Sequence, residues 1–298
     1  MAANTQRTKQ TRAAALCLLL SLAGVMRAAY PPDWTEPFAP FKIADNLYYV
    51  GSKGLASYLV TTPAGNILIN SSLESSVPLI QASVEKLGFK FGDTKILLIS
   101  HGHWDHDASS AAVKKLTGAQ YMVMDTDVPV VESGGKADFH YGSDPESQYP
   151  ATKVDKSLHD GEQVTLGGTT LTAHKTPGHT KGCTTWTMKV TDAGKTYDVV
   201  IVGSPNVNAG FKLVNNATYP TIAQDYETTF KVLKSLPCDI FLGAHGDYFD
   251  MLAKYPKLKP TAVNPNALNP FIDPAGYKAY VAERELAFRR ELQRQSPK

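Results

Sequence analysis

Three imidazoles and a carboxylate fall within six consecutive positions of this chain, in Ser100-His101-Gly102-His103-Trp104-Asp105-His106, directly after an apolar run. That run, residues 95–100, is short and rich in branched side chains, which predicts a buried β-strand with the cluster on the loop where the strand ends. Loops held by a rigid strand concentrate function, and imidazole with carboxylate is a donor set that zinc takes. In extended chain His101 and His103 point to the same side, while Asp105 and His106 lie beyond them where the chain can turn. One loop can thus offer ligands to two adjacent metals. The whole chain holds only eight histidines, so three within six positions argue against chance clustering on a solvated loop.

Composition sets the frame for that site. With 298 residues, 43% of them hydrophobic and 19% charged, the chain has ample material for a large packed core. A net charge of +2 is too near balance to imply a polyanionic partner, and the body of the chain shows no basic run interleaved with aromatics, so nucleic-acid binding is not expected. Cys17, Cys183 and Cys238 are too few and too scattered for a thiolate cage, which leaves nitrogen and oxygen to hold any metal. At the N-terminus, Arg7, Lys9 and Arg12 precede a mostly apolar stretch, 13–25, shorter than the roughly 20 residues a bilayer-spanning helix needs. Residues 1–29 therefore read as an export signal that places the mature protein in the periplasm, free of the membrane, with 30–298 as a single domain. Removal of the signal takes Cys17 with it and leaves at most the pair Cys183 and Cys238.

Along the rest of the chain, 30–40 is rich in proline and aromatics, which suits an extended arm lying over the body instead of a helix. Strands are expected at 47–50, 56–61 and 66–70, a helix from 77 to Gly88, a strand at 96–99, a helix at 109–116 closed by Gly118, and a strand at 121–124. Residues 133–150 form a long loop, of a kind that serves as a lid or binding loop or is plain surface irregularity. Strands follow at 163–166, 169–174, 184–190 and 198–202, then a helix at 224–236, a strand at 240–242 and a last helix over 275–295. The alternation describes an α/β protein.

Two further histidines follow strands in the same way as the first three: His179 in Thr176-Pro177-Gly178-His179-Thr180, and His245 in Gly243-Ala244-His245-Gly246. Flanking glycine lets each approach a metal without crowding. The His-x-His-x-Asp-His run, the later Gly-His-Thr and the strand-end His together resemble the metallo-β-lactamase superfamily, most closely its subclass B3. Residues 55–60 (Leu-Ala-Ser-Tyr-Leu-Val), 65–70 (Gly-Asn-Ile-Leu-Ile-Asn) and 243–246 carry the likeness further. The resemblance implies an αββα sandwich with the metal site at one edge, two zinc ions per chain, His101, His103 and His179 on the first zinc, and Asp105, His106 and His245 on the second. It also implies hydrolysis of the β-lactam amide bond of penicillins, cephalosporins and carbapenems by a metal-bound hydroxide that Asp105 orients, and hence antibiotic resistance.

One position separates the hydrolases of that superfamily. Where thioesterases and lactonases carry a metal-bridging aspartate, and subclass B1 a nearby cysteine, this chain reads Val202-Gly203-Ser204. Ser204 fits B3 and disfavours the alternative of a thioester or lactone hydrolase. Ser204 and Asn206 are the expected substrate contacts, Asn206 standing where B3 often has a serine. A zinc-carrier role conflicts with an open two-metal set, because structural zinc sites are usually closed four-ligand cages. A nuclease of this superfamily would need a basic groove that is missing here. Ser100, Ser109 and Ser204 read as loop or capping serines, His140, His159 and His174 as loop, surface or supporting residues, Trp104 as a pocket wall or packing residue, and Cys183 as a buried small apolar residue. The disulfide that B3 members often form from the position of Cys238 lacks a partner cysteine further on. A monomer acting on a small-molecule substrate is expected.

Overall fold

The computed structural model describes residues 30–192, 194–258 and 269–297; the expected export signal, with Cys17, lies outside the described residues. Seven strands form the first sheet in chain order: β1 (Phe41–Ala44), β2 (Leu47–Tyr49), β3 (Tyr58–Thr62), β4 (Gly65–Ile69), β5 (Thr94–Leu98), β6 (Gln120–Met124) and β7 (Lys156–Leu158). From β1 to β4 the strands are antiparallel and from β4 to β7 parallel. Parallel neighbours need a crossover. It is supplied by α1 (Val77–Lys86) before β5, by α2 (Trp104–Asp107) and α3 (Ser110–Thr117) before β6, and by α4 (Val128–Glu132) before β7. The second sheet holds β8 (Gln163–Leu166), β9 (Thr169–Lys175), β10 (Thr184–Asp192), β11 (Lys195–Val202) and β12 (Ile240–Gly243) in the order β12-β11-β10-β9-β8. Its one parallel pair, β11 with β12, spans the helix α5 (Ile222–Ser235); α6 (Met251–Lys254) and α7 (Pro274–Gln295) follow.

Residue alternation makes the layers. Val60, Ile67, Ile69, Leu98 and Met124 face the second sheet and share a core with Leu171, Trp186, Met188 and Val190. Their neighbours Leu59, Leu68, Leu97 and Val123 point the other way and bury Val77, Ile80 and Val84 of α1 and Val113 of α3. On the far side, Tyr226 and Phe230 of α5 meet Phe288 of α7 with ring centroids 5.2 and 5.7 Å apart, and Tyr277 of α7 packs on Phe241 of β12 at 5.4 Å. Helix, sheet, sheet, helix is the expected αββα sandwich.

Every expected strand and helix recurs with its ends shifted by a few residues, and Gly118 closes α3 in the left-handed region, its N–H on the Lys114 carbonyl at 2.8 Å. The additions among the strands and α-helices are β1, β7, α2, α4 and α6, each three to five residues long. Two features depart from the expectation. Asp105 and His106 were expected on a loop, yet they lie on the single turn of α2, because the His103 carbonyl accepts from the N–H groups of His106 (3.1 Å) and Asp107 (3.0 Å). The proline-rich arm, expected to be extended, makes one 3-10 turn over Pro32–Trp34, with the Trp34 N–H on the Pro31 carbonyl at 2.9 Å. Cys183 and Cys238 are both free thiols.

Candidate metal centre

The donors arrive from loops at one edge where the two sheets are stitched together. The exit of β5 is pinned by the second sheet: the Trp186 indole donates to the Ile99 carbonyl at 3.0 Å and the Thr184 N–H to the Ser100 carbonyl at 2.7 Å. His101 and His103 follow immediately, and α2 then turns Asp105 and His106 back over them. His179 comes from the loop between β9 and β10, closed by the Thr176 N–H on the Cys183 carbonyl at 2.7 Å. Gly178 in that loop has φ +128°, and a Cβ there would sit 2.7 Å from the Tyr226 ring, so this turn needs glycine. His245 follows β12 and is laced to the 54–56 segment by Gly246 N–H to the Gly54 carbonyl (2.9 Å) and Ala56 N–H to the Ala244 carbonyl (3.0 Å).

These loops bring six donors into two groups. The rings of His101, His103 and His179 form a triangle with centroids 4.6 to 4.8 Å apart. His101 also lies 4.4 Å from the ring of His106, and donor atoms of His101, Asp105 and His106 lie within 4.8 Å of one another. The Nε2 atoms of His106 and His245 face each other at 3.1 Å, and Asp105 Oδ2 lies 3.2 Å from the first and 3.4 Å from the second. Outer partners orient two of the rings. His179 Nδ1 donates to the Asn206 carbonyl at 2.8 Å, and His103 Nε2 lies 3.3 Å from Asp138 Oδ2. That leaves His179 Nε2 and His103 Nδ1 as the nitrogens free to bind.

Electrostatics favour the forms that bind a cation. Burial and the neighbouring imidazoles hold His101 well below its ordinary value, and burial with the nearby His103 pushes His179 down to about 3, so both present a neutral ring. Burial would push Asp105 up, but His106 and His245 beside it outweigh burial and keep the carboxylate ionised. His103 is the exception: against its burial, the Asp138 carboxylate raises it. Unpaired polar atoms mark the same spot. Both ring nitrogens of His101 and Nδ1 of His106 are buried without a hydrogen-bond partner. A buried orphan of this kind is costly, and a cation at the centre of the cluster would satisfy one of the two His101 nitrogens. Nitrogen and oxygen donors without thiolate suit zinc at an open site.

Comparison with known proteins gives these residues a lineage. The family model of the metallo-beta-lactamase superfamily matches residues 54–245, which take in all six donors. The chain belongs to the metallo-β-lactamase superfamily. Among solved structures it is similar to the native FEZ-1 metallo-β-lactamase from Legionella gormanii, at 58% identity and a TM-score of 0.86, covering 89% of this chain and 99% of that one. It is also similar to the class B3 di-zinc metallo-β-lactamase LRA-12 from an Alaskan soil metagenome, at 36% identity and a TM-score of 0.81, covering 88% and 97%. A metal-dependent hydrolase of Cupriavidus taiwanensis is 31% identical over 140 residues, and the match spans about half of either chain, 46% of each.

In this member of the superfamily the remaining expected residues fall as follows. Ser204, expected to touch substrate, is buried at 1% exposure, with its hydroxyl 3.3 Å from that of Tyr248. Asn206 is half-buried; its side-chain N–H donates to the Tyr248 hydroxyl at 2.8 Å, and its carbonyl is the acceptor for His179. His140, expected to be solvated, packs against Phe211 with centroids 4.8 Å apart. His159 is exposed beside Asp125, and His174 bonds Thr187 on the second sheet, away from the donors. Trp104 stands 5.9 Å from the ring of His103 and 5.1 Å from Tyr141. Sequence reasoning missed several neighbours: Asp138, Tyr141 (5.2 Å from His103), Phe211 (5.9 Å from His179), and Trp34 and Tyr248, which flank His245 at 5.7 and 5.0 Å. The clue available for Trp34 was its place in the proline-rich arm. A cavity of about 320 Å³ beside His245 is lined by Trp34, Lys53, Asp247 and Met251.

Proposed function

We propose that the protein is an exported subclass B3 β-lactamase that uses two zinc ions to hydrolyse the amide bond of penicillins, cephalosporins and carbapenems, and so confers resistance to them. The observation that carries this reading is the meeting of two donor groups at His101, whose buried ring nitrogens have no partner within the protein. Likeness to FEZ-1 and LRA-12 over nearly their full lengths supports it. His101, His103 and His179 hold one ion, and Asp105, His106 and His245 the other. When bound there, zinc supplies Lewis acidity toward the lactam carbonyl and lowers the pKa of water to about 7.

The chain's own side chains do the rest. Asp105, kept ionised by its imidazole neighbours, accepts a hydrogen bond from the attacking water and orients it. The aromatic walls of Trp34, Trp104, Tyr141 and Tyr248 keep bulk water from the reacting bond. Asn206 and Tyr248 meet the substrate's acid group, and Ser204 supports them from behind. Among the described residues a covalent serine route is not supported: the hydroxyls of Ser109 and Ser204 pair with the Leu73 carbonyl and with Tyr248, and that of Ser100 has no partner, so none of these three meets an imidazole. The basic and apolar leader supports export to the periplasm, and among the described residues no helix is long and apolar enough to cross a membrane.

Nitrocefin turnover before and after chelation tests the function. Activity is expected to vanish with a chelator, return with zinc and persist with clavulanate. Full activity in metal-free protein overturns the reading.

A further inference from the structure

Asp127 belongs to neither donor group, and no step proposed above uses it. It is fully buried and ends the 3-10 turn Asp125–Asp127 that follows β6. Its carboxylate accepts three hydrogen bonds from two separate loops. Oδ2 takes the Gly102 N–H at 3.0 Å and the Thr180 hydroxyl at 2.7 Å, and Oδ1 takes the Gly182 N–H at 2.7 Å. Gly102 sits between His101 and His103, and Thr180 directly follows His179. One carboxylate thus ties the loop leaving the first sheet to the loop between β9 and β10 of the second. The approach is close enough that a Cβ on Gly182 would lie 2.6 to 2.7 Å from Asp127 atoms. Burying a carboxylate is expensive unless its oxygens are satisfied, and here three donors aimed from the two metal-site loops satisfy them.

We infer that Asp127 is a positioning residue that sets the distance between the His101–His103 pair and His179, and through it the affinity for the ion those three imidazoles hold. The inference rests on the zinc assignment above. Among the described residues no hydrogen bond joins any two of these three rings, so their spacing is inherited from the loops. Zinc requires each nitrogen at about 2.0–2.1 Å, which leaves little tolerance for a loop that drifts. Asparagine at 127 keeps one acceptor oxygen but turns an NH2 group toward a donor. Valine at 180 removes one of the three bonds at constant shape.

The test is zinc affinity, measured by competition with a chromophoric chelator, together with the d–d absorption of the cobalt-substituted protein and the thermal midpoint of the metal-free protein. Asp127→Asn and Thr180→Val are expected to bind one of the two zinc ions about 10- to 100-fold more weakly and to alter the cobalt bands, while Thr180→Ser restores both. If wild type binds two zinc ions and both variants match it in affinity and cobalt spectrum, the inference falls and the zinc assignment stands. The inference falls equally if only the metal-free midpoint drops, since that marks a structural role alone. If wild type binds no zinc, the assignment itself fails and the inference with it. Should Asp127→Asn not fold, the Thr180→Val and Thr180→Ser pair decides by the same criteria.

Discussion

The two donor groups differ in what holds them in place. His179 has one nitrogen hydrogen-bonded from behind by the Asn206 carbonyl at 2.8 Å, and His103 Nε2 stands 3.3 Å from the Asp138 carboxylate, which leaves the opposite nitrogen of each ring facing inward. Asp105, His106 and His245 instead touch one another across the space an ion would fill, at 3.1 to 3.4 Å. Two of the three rings in the first group, those of His103 and His179, are placed by outer partners; the second group is held by contacts that a cation replaces. Damage to outer partners should therefore be felt in the first group, and damage to the donors themselves in the second.

The largest effect is expected from Asp105→Asn, which removes the one carboxylate among the six donors. Loss of an outer partner alone costs about 10- to 100-fold, so loss of this donor should lower kcat/KM by more than about 100-fold. Steady-state kinetics with zinc in excess measures it, and near-wild-type turnover would show that the second group is dispensable.

Next comes a paired comparison. His106→Ala should leave the second position with only Asp105 and His245 and drop zinc from two per chain toward one. Ser204→Ala should retain two, since its buried hydroxyl meets Tyr248 and not a donor group. Atomic absorption on both variants decides it. The reverse pattern would reassign Ser204 as a ligand and undo the subclass assignment.

A smaller effect sharpens the contrast from the other side. In Asp138→Asn, Oδ1 still caps the N–H groups of His140 and Tyr141, but an amide NH2 replaces the acceptor facing His103. Zinc affinity at the first position should fall about 10- to 100-fold with the second unaffected, as read by chelator competition. The smallest effect is expected from Asn206→Ala. His179 pairs with the main-chain carbonyl of residue 206, so metal content should hold at two while the Michaelis constant for substrates with a free acid group rises. A loss of zinc in that variant would show that the side chain, through Tyr248 and the Arg284 contact at 3.5 Å, holds the carbonyl in place.

What the sequence by itself determined is local in origin. The layered sandwich was implied by the resemblance to the metallo-β-lactamase superfamily, while the run 95–100 declared its strand by branched residues and length, and the six donors stood out by residue type and by their place just after strands. Each of these signals is written within a few residues of the element it describes. The turn α2 escaped because it is too short to show a helical period. Asp127 and Asp138 escaped because a lone aspartate has no pattern until folding sets Gly102, Thr180 and His103 against it. The anchor of His179 is a main-chain carbonyl, a group every residue carries, so no residue type announces it. Trp34 and Tyr248 reach His245 only after a long stretch of chain, in the first case, and a single turn, in the second, have been folded back onto the same edge. The donors were therefore legible from their chemistry, whereas the groups that hold them at working distance were decided by tertiary structure, because hydrogen bonds between distant segments exist only once both sheets are packed together.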